Sequence, residues 1–172
     1  MQTLSSMQRN STNSESLRFS LFCISVIGYE IFSLTSLFLP SLIGIFFAYL
    51  IILSDEVERT LGVKDKRWYL TVAFLFFAEQ LNGFEFCSVL LAWLLFYHLL
   101  DDWLKTNIKW RKLLITIYVF SGYILTLAMS NIVLYILNQP RLELSYEYLL
   151  YAAIESLIAL VNSSVSSSLF KS

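Results

Sequence analysis

From Leu113 to Leu137 the chain runs for 25 residues without a charged side chain. A helix of that length rises about 37 Å, more than the roughly 30 Å hydrocarbon core of a bilayer. A soluble fold would have to bury such a segment on every side, and the rest of the chain offers little to cover it. Hydrophobic residues make up 57% of the 172 and charged residues 15%, against roughly 45–50% and 25% in soluble domains. Lipid is the expected solvent, and the expected fold class is all-α integral membrane.

Five further apolar runs flank this one: Phe19–Phe38, Pro40–Leu53, Trp68–Leu81, Phe84–Leu100 and Tyr148–Phe170. Pro40 separates the first two and suits the opening of a helix, whose first amides need no partner. Asn82–Gly83 separates the next two as a turn, where Gly83 supplies a positive φ or a close backbone approach. The pattern predicts a polar, disordered cytoplasmic tail over 1–18 and a single six-helix transmembrane domain over 19–172. Six spans place eleven of the twelve Lys and Arg residues on one side, leaving only Arg141 opposite. Adding or removing a span would scatter them. By the positive-inside rule both termini are then cytoplasmic. Trp68, Trp103 and Trp110 fall at the inner boundary as interfacial anchors.

Catalytic patterns are missing from the sequence: it has no Gly-rich phosphate loop, no GxSxG and no HExxH. Cys23 and Cys87 lie alone in apolar runs, and His98 is the single histidine. His98, Asp101 and Asp102 share a helical face at the end of the fourth run and read as a solvated helix end. No enzymatic activity, cofactor, metal or nucleic-acid partner is expected. The informative residues are acids within apolar runs, Glu30, Glu79, Glu85 and Glu155, with Gln80, Asn82, Asn131 and Asn162. An ionisable group at the bilayer centre costs roughly 2.5–3.5 kcal/mol on insertion scales, so such groups are paired or functional. No Lys or Arg lies within a run to pair them. Glu155 and Asn162 share one face, which should turn inward or toward a partner. Gly44 and Ala48 form a small-xxx-small pair on the second run.

The hairpin Trp68–Leu100 (WYLTVAFLFFAEQLNGFEFCSVLLAWLLFYHLL) resembles the signature of the MreD family, small multispanning subunits of the bacterial rod-shape complex. That signature is an apolar run, an acid, a short polar turn with Gly, and a second apolar run. Glu79 falls at the family's usual Asp and Gly83 at its turn glycine, while Cys87 replaces a common Gly. The resemblance implies a non-enzymatic scaffold of cell elongation, multi-pass in the bacterial inner membrane. Its partners would be an MreC-like single-span protein and, through it, MreB and the peptidoglycan synthases. The architecture would be similar to the six-helix substrate-binding subunits of energy-coupling-factor transporters. Glu79, Gln80, Asn82, Gly83 and Glu85 at the turn, with Glu30, Glu155 and Asn162, are then candidate partner-binding residues. The alternative is a substrate-binding subunit of a vitamin or small-molecule transporter, with a pocket near Glu79, Asn82 and Glu85. The Ala-xxx-Ala contact expected of such a subunit does not occur in the first run.

Overall fold

The structure, a computed structural model, describes residues 20–35, 39–60, 66–143 and 145–169, with side chains for all of these except 60 and 162–169. The expected tail over 1–18, Lys64, Lys171 and the Asn162 side chain lie outside the described residues. Those residues form six helices and no strand. They are α1 (Ser20–Ser33), α2 (Ile43–Thr60), α3 (Lys66–Leu81), α4 (88–107), α5 (Arg111–Ile136) and α6 (Tyr146–Leu169). Within α4 a single π-helical turn, Tyr97–Asp101, joins Ser88–Phe96 to Asp102–Asn107.

The 25-residue uncharged run becomes α5, the axis of the bundle, which packs on α2, α4 and α6. Helix α2 also touches α3 and α6. The core between them is aromatic, with Phe47 edge-on to Phe96 and Phe96 edge-on to Tyr118, at ring separations of 5.8 and 5.5 Å. Close approach of α2 to α5 depends on two glycines. A Cβ on Gly44 would lie 2.7 Å from Val119 Cγ1, and one on Gly122 would lie 3.0 Å from Phe47 Cβ. Gly44 and Ala48 are both buried, so the small-residue pair does mark a packing face.

Two chain ends are made alike. Phe84 N–H donates to Glu79 O (3.1 Å) and Gly83 N–H to Gln80 O (3.4 Å), with Gly83 at φ 74°. Gln139 N–H and Asn138 N–H close α5 onto Leu134 O and Tyr135 O in the same way, with Asn138 at φ 54°. Both are Schellman ends, in which a left-handed residue lets the chain reverse and satisfies the last carbonyls. Gly83 has open space around its α-carbon, so it is the positive φ that requires glycine, not a close approach.

Three expected boundaries move. The first helix stops at Ser33, short of Phe38, and residues 36–38 lie outside the described part. Pro40 does not open α2. The helix begins at Ile43, after Leu42 at φ 56°, because its first amides are met by a carboxylate from α6. Helix α4 begins at Ser88, since Phe84–Cys87 forms a second turn with Cys87 at φ 71°.

Apolar side chains lie both in the core and on the outer surface of the bundle. Large apolar residues face outward on every helix, among them Ile24, Ile52, Leu70, Leu94, Ile132 and Val161. Four acids, Glu30, Glu79, Asp101 and Glu155, are each at most 1% exposed. On α1 the buried residues are Glu30 and Ser33, both polar, while Leu21, Phe22, Ile24, Ile31 and Phe32 are exposed. Among the described residues one helix, Arg111–Ile136, is long and apolar enough to cross a membrane by itself. For three of the others the reason is visible: α1 and α3 are short, and α2 ends in Asp55, Glu56, Glu58 and Arg59.

Gly44→Ala forces its new methyl into Val119, Glu155 and Tyr123, and overpacking of this kind costs about 2 kcal/mol. Gly28, with nothing within 4 Å, accepts the same change without loss. Thermal unfolding of both variants in detergent should therefore separate them, with only Gly44→Ala losing several degrees of Tm.

Candidate functional site

Two of the buried glutamates do the same physical work at different places. A helix N-terminus leaves amides without intrahelical partners and carries partial positive charge, so a carboxylate there satisfies both. Glu155, on α6, accepts the Ile45 N–H at 2.8 Å through Oε2 at the start of α2. The Tyr123 hydroxyl of α5 donates to its other oxygen, and Ser41 lies 3.0 Å from that hydroxyl. Three helices and the lead-in to α2 thus meet at one carboxyl group, which Gly44 leaves room for. Glu79, on α3, caps α4: its Oε1 accepts the Ser88 N–H at 2.5 Å and the Ser88 hydroxyl at 2.7 Å.

Glu30 attaches the peripheral α1. Its Oε1 accepts the Asn82 amide N–H at 3.0 Å, and Asn82 Nδ2 also donates to Ala78 O at 2.8 Å. The second oxygens of Glu30 and Glu79 have no partner among the described residues. Of the remaining turn residues, Gln80 points outward, and Glu85 takes part through its backbone, whose N–H donates to Ser130 Oγ of α5 at 2.9 Å. Glu30, Glu79, Asn82 and Glu155 therefore enter the interior, while Gln80 does not. Asn131 pins the loop before α6, accepting from Leu142 N–H (2.7 Å) and donating to Leu142 O (3.1 Å).

The opposite end of the bundle carries a second polar cluster. Lys105 Nζ lies 2.5 Å from both Asp55 of α2 and Asp101 of α4, and the Tyr118 hydroxyl donates to Asp101 Oδ1 at 2.5 Å. The reading of His98, Asp101 and Asp102 as a solvated helix end is corrected for Asp101. The π turn separates them, leaving His98 and Asp102 exposed and turning Asp101 into the bundle. Burial pushes the Asp55 carboxyl up from the ordinary aspartate range, and Lys105 offsets only part of that. For Lys105 burial works downward, but its two carboxylate partners outweigh it and hold the ammonium above the ordinary lysine range.

Tyr123, Ser41, Ser88, Ser130, Asp55 and Lys105 were not singled out as polar-network residues from the sequence. Hydroxyl residues in apolar runs carry no periodic signal, and Asp55 and Lys105 are separated by 50 residues. The network can orient helices and transmit displacement between them. Among the described residues no group of three or more His, Cys, Asp and Glu is arranged to hold a metal ion.

Lys105→Met leaves Asp55 and Asp101 facing each other unneutralised, and losing one partner of this part-buried cluster costs about 1–2 kcal/mol, between the surface and buried cases. A lysine held above its unfolded pKa stabilises fully below that value and loses its contribution as pH rises through the folded one. Wild-type stability should therefore fall above about pH 10.5, where the unfolded lysine titrates, and the Lys105→Met protein should lack that alkaline step. Thermal unfolding followed across pH reads both effects.

Comparison with protein-family models, curated proteins and solved structures finds no match to this chain.

Proposed function

We propose that the chain is a six-span, non-enzymatic scaffold of the bacterial inner membrane, acting in the rod-shape complex beside an MreC-like single-span protein. The membrane part of this reading is supported by the large apolar side chains exposed on every helix and by the burial of Glu30, Glu79 and Glu155. In water that arrangement would forfeit burial worth about 1.5–3 kcal/mol for each large apolar side chain. In lipid it is the expected one, because buried polar groups then join helices that have no hydrophobic drive to associate. Both ends of the six-span chain face the cytoplasm on the basic-residue count.

The observation that carries the scaffold reading is the Glu79 hairpin. The acid that the resemblance places at the family's usual Asp is fully buried and ties the end of α3 to the start of α4. Its role there is to fix the geometry of a hairpin, which is what an assembly surface needs. The transporter alternative draws less support. A cavity of about 610 Å³ lies between α1, α2 and α3, is lined mostly by apolar side chains, and does not include Glu79, Asn82 or Glu85.

The test is purification of the tagged protein in mild detergent from its own host, with co-purifying proteins identified by mass spectrometry. An MreC-like protein and wall synthases should be recovered. Glu79→Gln keeps an acceptor oxygen for Ser88, and with it the hairpin, and should leave that recovery and the protein level unchanged. Glu79→Ala removes the cap and should lower that recovery severalfold and stability by about 1 kcal/mol. Recovery of ATPase subunits with a coupling protein would replace the scaffold by a transport subunit.

A further inference from the structure

Between α4 and α5 the chain turns through Lys109, Trp110, Arg111 and Lys112, and all four are exposed. Trp110 is 77% exposed, and Trp103, near the end of α4, 62%. The three cations form no ion pair and no side-chain hydrogen bond among the described residues. Asp102, the exposed acid that precedes them, pairs with none of them. Lys105 is already held by Asp55 and Asp101 and adds nothing to this group.

These charges do nothing for the helix they introduce. Helix α5 has no acid in its first turn to neutralise them, and cations at a helix start oppose its dipole. Their position accounts for them better. The 26 residues of α5 rise about 39 Å, against a hydrocarbon core of roughly 30 Å. The surplus carries the first turn of α5, and the residues before it, into the headgroup layer. Exposed indoles belong at that depth, where the ring meets lipid and the N–H meets water. On the basic-residue count this end faces the cytoplasm, whose leaflet carries anionic lipid.

We infer that Lys109, Arg111 and Lys112 form a headgroup site for an anionic phospholipid, with Trp110 as the interfacial anchor beside it. The ligand is a phosphodiester of net negative charge, whose oxygens a guanidinium can take in pairs. A zwitterionic headgroup brings its own cation and leaves the excess positive charge uncompensated. A soluble acidic partner would have to displace lipid already at this depth. The inference rests on the membrane reading but not on the scaffold. Bound there, the lipid holds the corner between α4 and α5 at the membrane surface.

The test is native mass spectrometry of the full-length protein in mild detergent, titrated with dioleoyl phosphatidylglycerol or dioleoyl phosphatidylcholine. The wild type should bind its first phosphatidylglycerol more tightly than its first phosphatidylcholine. Arg111→Gln should reduce that preference about fivefold, the equivalent of about 1 kcal/mol for one cation near the headgroups. Lys109→Gln, Arg111→Gln and Lys112→Gln together should abolish it with circular dichroism unchanged. Arg141→Gln, exposed at the other end of the bundle, should leave it intact. Raised salt, which needs no substitution, should weaken phosphatidylglycerol binding and spare phosphatidylcholine. Equal binding of both lipids by the wild type overturns the inference. So does a preference undiminished in the triple variant, or one lost equally in Arg141→Gln. Recovery of the chain in the soluble fraction without detergent would instead overturn the membrane reading beneath it.

Discussion

A carboxylate from the last helix completes the N-terminus of the second, and most of the bundle is arranged around that contact. Glu155 accepts from Ile45 N–H and from the Tyr123 hydroxyl, so α2, α5 and α6 share one polar centre with no exposure to solvent. Gly44 follows from it, because any side chain there would displace the carboxyl group, Val119 and Tyr123 together. The left-handed Leu42 follows as well, since the chain must turn sharply out of the Pro40–Ser41 lead-in to present the amide of Ile45. Glu79 repeats the device at α4. Helices that must pack where water is absent cannot leave their terminal amides to solvent, and a glutamate on a neighbouring helix is a direct remedy.

The two polar clusters divide the bundle into ends with different chemistry. At the hairpin end, uncharged donors and helix amides meet Glu30, Glu79 and Glu155, and no Lys or Arg intervenes in the described contacts. At the other end Lys105 neutralises Asp55 and Asp101. The π turn Tyr97–Asp101 is what allows α4 to serve both. Above it Ala92 and Phe96 fill the core, and below it the extra residue rotates Asp101 inward while His98 stays outside. Such π turns commonly mark functional positions.

Much of the helix order was legible in the sequence, because apolar runs long enough to see are separated by turn residues with definite chemistry. Gly83 and the loop after Leu137 are examples. The start of α2 moved through a tertiary contact, since it waits past Pro40 for Glu155. The buried acids could be picked out because charge in an apolar run is conspicuous. Their partners could not, since Tyr123, Ser88 and Ser130 are ordinary residues of membrane-like helices until the fold brings an acid or an amide to them. Asp101 was misread for a related reason. Helical spacing groups it with His98 and Asp102, and only the π turn separates them.

The central claim is that this bundle, with its buried acids, is enclosed by lipid, with its ends on opposite sides of a membrane. Labelling single cysteines in intact cells, on a background lacking Cys23 and Cys87, tests it most directly at two exposed positions, Gln139 and Lys109. The account predicts that an impermeant thiol reagent reaches position 139 in intact cells and position 109 only after permeabilisation. Labelling of both positions from the same side, or of 109 from outside, would contradict it.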